Sequence, residues 1–158
     1  MLVRRATDAD RERIQELFLN DFGHLTIVAF GDVMHADREE SLVAEMKDDV
    51  AGALAYRTFG GDAIHIVAMA TDPMWQRSGV GGYLLAETEL QARRDGFKRI
   101  VTSTGNDNLP SLYFFQRHGF RLIEVAPDAY TQYTEGNTVQ GFAGIPVRDE
   151  VRMEKRLA

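Results

Sequence analysis

No cysteine occurs anywhere in the chain. That one absence removes disulfides, thiolate metal sites and a cysteine nucleophile from consideration. Cations are in the minority: 18 lysines and arginines face 24 aspartates and glutamates, a formal net charge of −6. Nucleic-acid binding runs on phosphate neutralisation by basic side chains, so no nucleic-acid partner is expected. A small anionic ligand held at one local site is still allowed. Long apolar runs are missing too, and nothing approaches the roughly 20 residues a helix needs to cross a bilayer. The opening MLVRRATDADRERI is charged too early for a secretory leader. The expectation is a cytoplasmic protein with no membrane partner. His24, His35 and His118 lack a histidine or carboxylate at ligand spacing, so no metal is expected.

What is present fits one domain over residues 1–158, with 44% hydrophobic and 27% charged residues. Leu2 to Arg5 reads as a short strand. Thr7 and Asp8 offer cap oxygens, and Ile14, Leu17 and Phe18 form one stripe, so residues 8–22 read as a helix stopped by Gly23. Residues 24–38 are ambiguous, strand-like at TIVAF (26–30) and loop-like at HADREE (35–40). Three strands then form a meander: SLVAEMK from Ser41, residues 50–59, and residues 63–71. Asp48-Asp49 and Gly60-Gly61-Asp62 supply the turns. The third strand, AIHIVAMAT, is apolar on both faces and so belongs at the centre of a sheet. Residues 80–95 read as a helix, 99–104 as a strand, and 108–119 as a helix capped by Asn108 and ended by Gly119. A strand at 120–126, a long loop at 127–146 and a closing strand at 149–157 complete the order. The predicted fold class is α/β (α+β), a mixed sheet with helices on both faces.

Between the third strand and its helix lies QRSGVGGYLL (76–85). Glycines at a helix start either pack closely or let a ligand approach the unpaired N–H groups there. Those groups and the helix dipole make an anion seat that needs no lysine. A P-loop is excluded because the stretch lacks Gly-Lys-Ser/Thr. A dinucleotide fingerprint is excluded because Gly79, Gly81 and Gly82 break its spacing and follow a meander.

The surrounding TDPMWQRSGVGGYLL resembles motif A of the GNAT superfamily of acyl-coenzyme A-dependent N-acyltransferases, Q/R-x-x-G-x-G/A, here Gln76-Arg77-Ser78-Gly79-Val80-Gly81. Pro73 stands six residues before Gly79, where such proteins often carry a proline. Downstream, NLPSLYFFQRHGF resembles motif B, with Asn108, Gly119 and Phe120 on its fixed points. The two motifs cover residues 64–122, and the element order elsewhere fits as well. The resemblance implies a splayed sheet and acetyl-CoA as co-substrate. Main-chain N–H groups of Arg77, Ser78, Gly79, Val80, Gly81 and Gly82, in the loop begun by Gln76, would hold the coenzyme A diphosphate. Met69, Ala70 and Thr71 would pair with the pantetheine amides, and Asn108 would contact the same arm. A plain helix cap is the other role open to Asn108. Homodimers are common in the family.

The same resemblance implies transfer of an acetyl group to a primary amine by direct attack in a ternary complex. Making a lysine-like amine neutral at pH 7 costs about 4–5 kcal/mol, so a general base is useful. His65, on the central strand, is the candidate; some family members carry a glutamate at about that strand position. A structural histidine packed in the sheet is the alternative. The family's usual tyrosine acid, four residues before the motif B glycine, is Phe115 here. Tyr113 lies two residues away, on nearly the opposite helix face. Phe115 therefore leaves open a second reading, an acyl-CoA-binding sensor without turnover. A nucleotide-binding regulator is a third. Trp75, Tyr56, Tyr130 and Tyr133 are either acceptor-pocket or packing residues. Asp149 and Glu150 read as a solvated strand end or as contacts for a cationic acceptor.

Overall fold

The computed structural model describes residues 1–133 and 139–158. Its strands are β1 (Leu2–Arg5), β2 (Thr26–Ala29), β3 (Asp32–His35), β4 (Glu40–Met46), β5 (Asp49–Phe59), β6 (Ala63–Thr71), β7 (Arg99–Gly105), β8 (Arg121–Ala126), β9 (Val139–Gln140), β10 (Pro146–Val147) and β11 (Glu150–Arg156). Its α-helices are α1 (Arg11–Phe22), α2 (Val80–Arg94) and α3 (Leu109–Arg117). Seven strands form the main sheet in the order β1-β4-β5-β6-β7-β11-β8. Only β6 and β7 are parallel; the other neighbours are antiparallel. The apolar third meander strand, β6, is the middle of the seven.

Three stretches of the sequence reading take definite form here. The ambiguous stretch 24–38 is a β2–β3 hairpin standing apart from the main sheet. The expected loop at 127–146 contains a β9–β10 ribbon, and its residues 134–138 lie outside the described residues. The closing strand, β11, inserts between β7 and β8.

Alternation along the strands builds two cores. Leu42, Leu54, Ile66 and Ile100 meet Val80, Leu84 and Leu85 of α2 and Phe115 of α3. Val43, Ala53 and Ala55 turn the other way, onto Ile14, Leu17 and Phe18 of α1. Fully burying one such aliphatic or aromatic side chain contributes roughly 1.5–3 kcal/mol. The start of α1 is fixed by Asp10, which accepts from the Thr7 N–H at 2.8 Å and from Arg4 at 2.7 and 2.9 Å. The Arg4 hydrogen bonds hold the Asp10 carboxyl down at about 2. Gly23, at φ 79°, stops α1 with its N–H on the Leu19 carbonyl.

The sheet divides at one place. Residue pairing between β6 and β7 runs from Ala63↔Arg99 to Ile66↔Thr102 and stops. At that level β5 pairs Ala55 with Ala68 and then Tyr56 with Ile66, leaving Val67 as an extra residue in β6. A bulge bends its strand and ends regular pairing, which accounts for the parting. Thr102 Oγ1 donates to the Ile66 carbonyl at 3.0 Å in the crotch. Each arm keeps its outer neighbour: Thr71 stays on Gly52 of β5, and Gly105 stays on Glu150 of β11.

Candidate active site

The loop that begins at Asp72 is anchored before it turns. Asp72 donates its N–H to the Ala51 carbonyl at 2.8 Å. Its carboxylate accepts from the Met74 N–H at 2.8 Å and from Arg13 of α1 at 2.7 Å. Arg13 also donates to the Val50 carbonyl at 3.1 Å. The hydrogen bond from Arg13 holds Asp72 below the usual carboxylate range. Sequence reasoning missed Arg13, which reads there as one more charge on a helix face.

Past Trp75 the chain adopts left-handed conformations at Arg77 (φ 69°) and Gly79 (φ 81°), then enters α2 at Val80. Ser78 donates its N–H to the Trp75 carbonyl at 3.1 Å, and Gln76 donates to Pro73 at 3.4 Å. Among the described residues, no main-chain carbonyl takes the N–H groups of Arg77, Gly79, Val80, Gly81 and Gly82. Five donors thus gather at the positive end of a 15-residue helix. Gly52 lets that end sit directly on the sheet, since a Cβ there would lie 2.6 Å from Val80 Cγ1. Gly81 lies under Phe114, whose ring would be 3.4 Å from an added Cβ, and Gly82 lies under His118. The second and third motif glycines therefore serve close packing of α3 on α2, while Gly79 serves the turn.

Met69, Ala70 and Thr71 form the outer half of the β6 arm, next to this helix end; Met69 Cε is 3.7 Å from a Cβ built on Gly81. Their edge facing β7 carries no ladder. Such an edge can pair with an extended amide-bearing chain. Asn108 caps α3, accepting from the Ser111 N–H at 3.2 Å. Phe115 is 6% exposed and lies edge-on to Phe114 and Phe120. Tyr113 is 66% exposed, pointing away from that core.

On the opposite face of the sheet, His65 is 2% exposed and edge-on to Phe30 at 5.0 Å and Phe59 at 6.0 Å. Burial, reinforced by the Arg57 charge and opposed by Glu150, lowers its pKa to about 4, so the ring is neutral at pH 7. Phe30 is the tip of the β2–β3 hairpin. Its N–H donates to Glu150 Oε2 at 2.9 Å, and its ring lies 5.1 Å from the Arg152 guanidinium. Glu150 also accepts from Arg152 Nε at 2.9 Å. The expectation of a solvated strand end is thus overturned for Glu150, which is 2% exposed. Asp149 is occupied as well, accepting from the Asp128 N–H at 2.8 Å.

Beyond the β7 arm, Asn106 latches the 146–149 segment in place. Its amide donates to the Pro146 carbonyl at 3.0 Å, and its oxygen accepts from the Arg148 and Asp149 N–H groups at 2.9 and 3.0 Å. Tyr130 packs near Gly105 at the end of that arm. Burial and the Glu150 and Asp107 carboxylates push its phenol up, so it stays protonated. Tyr56 lies elsewhere, in a cavity of about 230 Å³ beside the C-terminal half of α2. Trp75 packs on the α2-side core with its Nε1–H buried and unpaired among the described residues. No described helix is long and apolar enough to cross a membrane. No cluster of metal-ligating side chains occurs among the described residues.

The model of the acetyltransferase (GNAT) family matches residues 6–120. The uncharacterized N-acetyltransferase YvbK of Bacillus subtilis is 26% identical over 119 residues, 75% of this chain and 76% of that protein. A Bacillus subtilis acetyltransferase solved in complex with CoA superposes with a TM-score of 0.76 at 21% identity, covering 99% of this chain and 98% of that one. A GNAT acetyltransferase of Elizabethkingia anophelis with acetyl-CoA bound gives 0.71 at 19% identity, covering 99% and 97%. Likeness at these identities establishes the fold: a splayed mixed sheet with helices on both faces.

Proposed function

We propose, because the chain belongs to the acetyltransferase (GNAT) family, that it moves an acetyl group from acetyl-CoA to a primary amine by direct attack in a ternary complex. The observation that carries this reading is the meeting of five unclaimed N–H groups at the mouth of α2 with a parted pair of strands. A diphosphate fits the first. An amide-bearing pantetheine arm fits the second, along Met69, Ala70 and Thr71. Acetyl-CoA supplies the activated acetyl group; the chain supplies position and electrostatics.

Attack forms a bond from the amine nitrogen to the acetyl carbon and breaks the carbon–sulfur bond. An N–H on the free edge of β6 is available to the acetyl oxygen as negative charge builds there. Phe115 has no proton to give, so coenzyme A leaves as the thiolate and takes its proton from solvent. The excess amine proton must also leave. His65 is a weak base, its pKa lowered by burial, and its ring is 2% exposed between Phe30 and Phe59 on the opposite face of the sheet, so solvent takes that proton. Most of the cost of a neutral amine is therefore met in solution, where the free base is selected.

Phe115 is also the observation that favours the second reading, an acyl-CoA-binding protein without turnover. The absence of cysteine makes the deciding assay clean, because the protein contributes no thiol. Calorimetry with coenzyme A, then thiol release from acetyl-CoA across a panel of amines, separates the two. Binding with amine-dependent thiol release is the expected result. Binding without release leaves the sensor reading, and no binding removes both.

A further inference from the structure

The buried stripe of α2 changes size along its length. Val80, Leu84 and Leu85 fill the space above the sheet, but the stripe continues as Thr88 and Ala92. Those two side chains are too short to fill the space over the strands beneath, and Thr88 spends its hydroxyl on the Leu84 carbonyl at 2.8 Å. What remains is the cavity of about 230 Å³ beside Tyr56. Packed interiors leave few voids larger than one water, roughly 30 Å³, so this gap has room for a small organic molecule. Its walls are apolar, formed by Leu42, Ile64, Ala92 and Phe97. Its lip is charged, bordered by Arg5, Glu40 and Asp95. Tyr56 stands opposite Glu40 and donates its hydroxyl to it at 3.2 Å. All three charges are felt at that hydroxyl: burial and Glu40 push the phenol up, Asp95 adds to this, and Arg5 opposes it. Arg4 takes Asp10 and Glu45 as partners. Among the described residues, no group hydrogen-bonds or ion-pairs with the Arg5 guanidinium or with the Asp95 carboxylate.

The structure assigns this cavity to a free α-amino acid with an aromatic side chain, bound as the zwitterion. Its carboxylate pairs with Arg5, and its ammonium pairs with Glu40 and Asp95, as charge-assisted hydrogen bonds. Its ring enters the apolar hollow, where Phe97 and Tyr56 offer aromatic contacts. A plain amine leaves the Arg5 charge unmatched. A plain carboxylate meets two acids for one cation. A zwitterion answers both signs, and a few convergent polar groups on an apolar hollow are what a small-molecule site needs. The site is separate from the acetyl-CoA crevice, because Thr88 and Asp95 lie about 12 and about 22 Å along α2 from Val80 at its mouth.

Titration of the isotope-labelled full chain with L-phenylalanine, followed by amide NMR, tests this. Residues 88–97 should shift, with a dissociation constant of about 1 mM or tighter, and the same residues should shift when coenzyme A is present. Phenethylamine, which lacks the carboxylate, and 3-phenylpropionate, which lacks the ammonium, should each bind at least tenfold more weakly. Arg5→Gln and Asp95→Asn, both at exposed positions, should weaken phenylalanine at least tenfold and at least threefold, with the circular dichroism of the fold retained. No shift at about 10 mM phenylalanine overturns the proposal. So do shifts at residues 69–82 in place of 88–97, equal affinity for phenethylamine, or wild-type affinity in Arg5→Gln. The readout involves no acetyl transfer, so the outcome is independent of whether the chain turns over acetyl-CoA.

Discussion

Mild acid should destabilise this protein through one residue, His65. The ring is 2% exposed, enclosed by Phe30 and Phe59, and its pKa is lowered from 6.5 to about 4. A group with a depressed folded pKa takes up its proton in the unfolded chain first, so stability is complete above pH 6.5 and falls as the pH drops toward 4. At 1.36 kcal/mol per pKa unit, the loss attributable to this residue is about 2 kcal/mol at pH 5 and about 3 kcal/mol at pH 4. Asp10, held at about 2 by Arg4, acts in a separate window between about 3.8 and 2. Urea unfolding followed by the fluorescence of the single tryptophan, at pH 7, 5 and 4, reads the effect. His65→Leu keeps an apolar group of similar bulk between the two rings and removes the titration. The gap between wild type and variant should move by the amounts above in favour of the variant as the pH falls. A gap that stays constant from pH 7 to pH 4 refutes the reasoning about burial.

Two further outcomes follow from the geometry. Gly79→Ala forces a side chain into the left-handed conformation (φ 81°) and should cost about 1–2 kcal/mol; calorimetry should show coenzyme A affinity down at least tenfold while α2 is retained by circular dichroism. Asn106→Ala removes three hydrogen bonds to the 146–149 segment, with a loss of roughly 2–3 kcal/mol; limited proteolysis should then cut that segment faster at unchanged coenzyme A affinity.

Much of the frame was legible because local chemistry dictates it. The alternation of the strands already pointed to a meander, and the turn expected at Asp48-Asp49 falls one residue earlier, on Lys47 and Asp48, both left-handed at φ 51° and 67°. The glycine loop was legible for the same reason: Gly79 marks a backbone conformation, and Val80, Leu84 and Leu85 mark the buried side of the helix that follows. What stayed hidden depends on distant partners. The hairpin tip at Phe30 is held by Glu150, 120 residues away, and in DEVRMEKRL that glutamate looks like one solvated charge among many. The extra residue Val67 is set by pairing with β5, so nothing in AIHIVAMAT shows it. The placing of β11 inside the sheet depends on two neighbours at once. Arg13 was unreadable because its partner, Asp72, belongs to the other side of the meander.

The parting of β6 from β7 leaves each strand still bonded to the rest of its own side. The sheet is therefore two leaves, β1-β4-β5-β6 and β7-β11-β8, joined along four residue pairs that end at Ile66 and Thr102. Widening or narrowing the crevice requires no ladder to break; the leaves need only swing about that short seam. Substitutions at the seam should alter how readily a substrate arm slides in and out, while substitutions within either leaf should alter how firmly the protein stays folded.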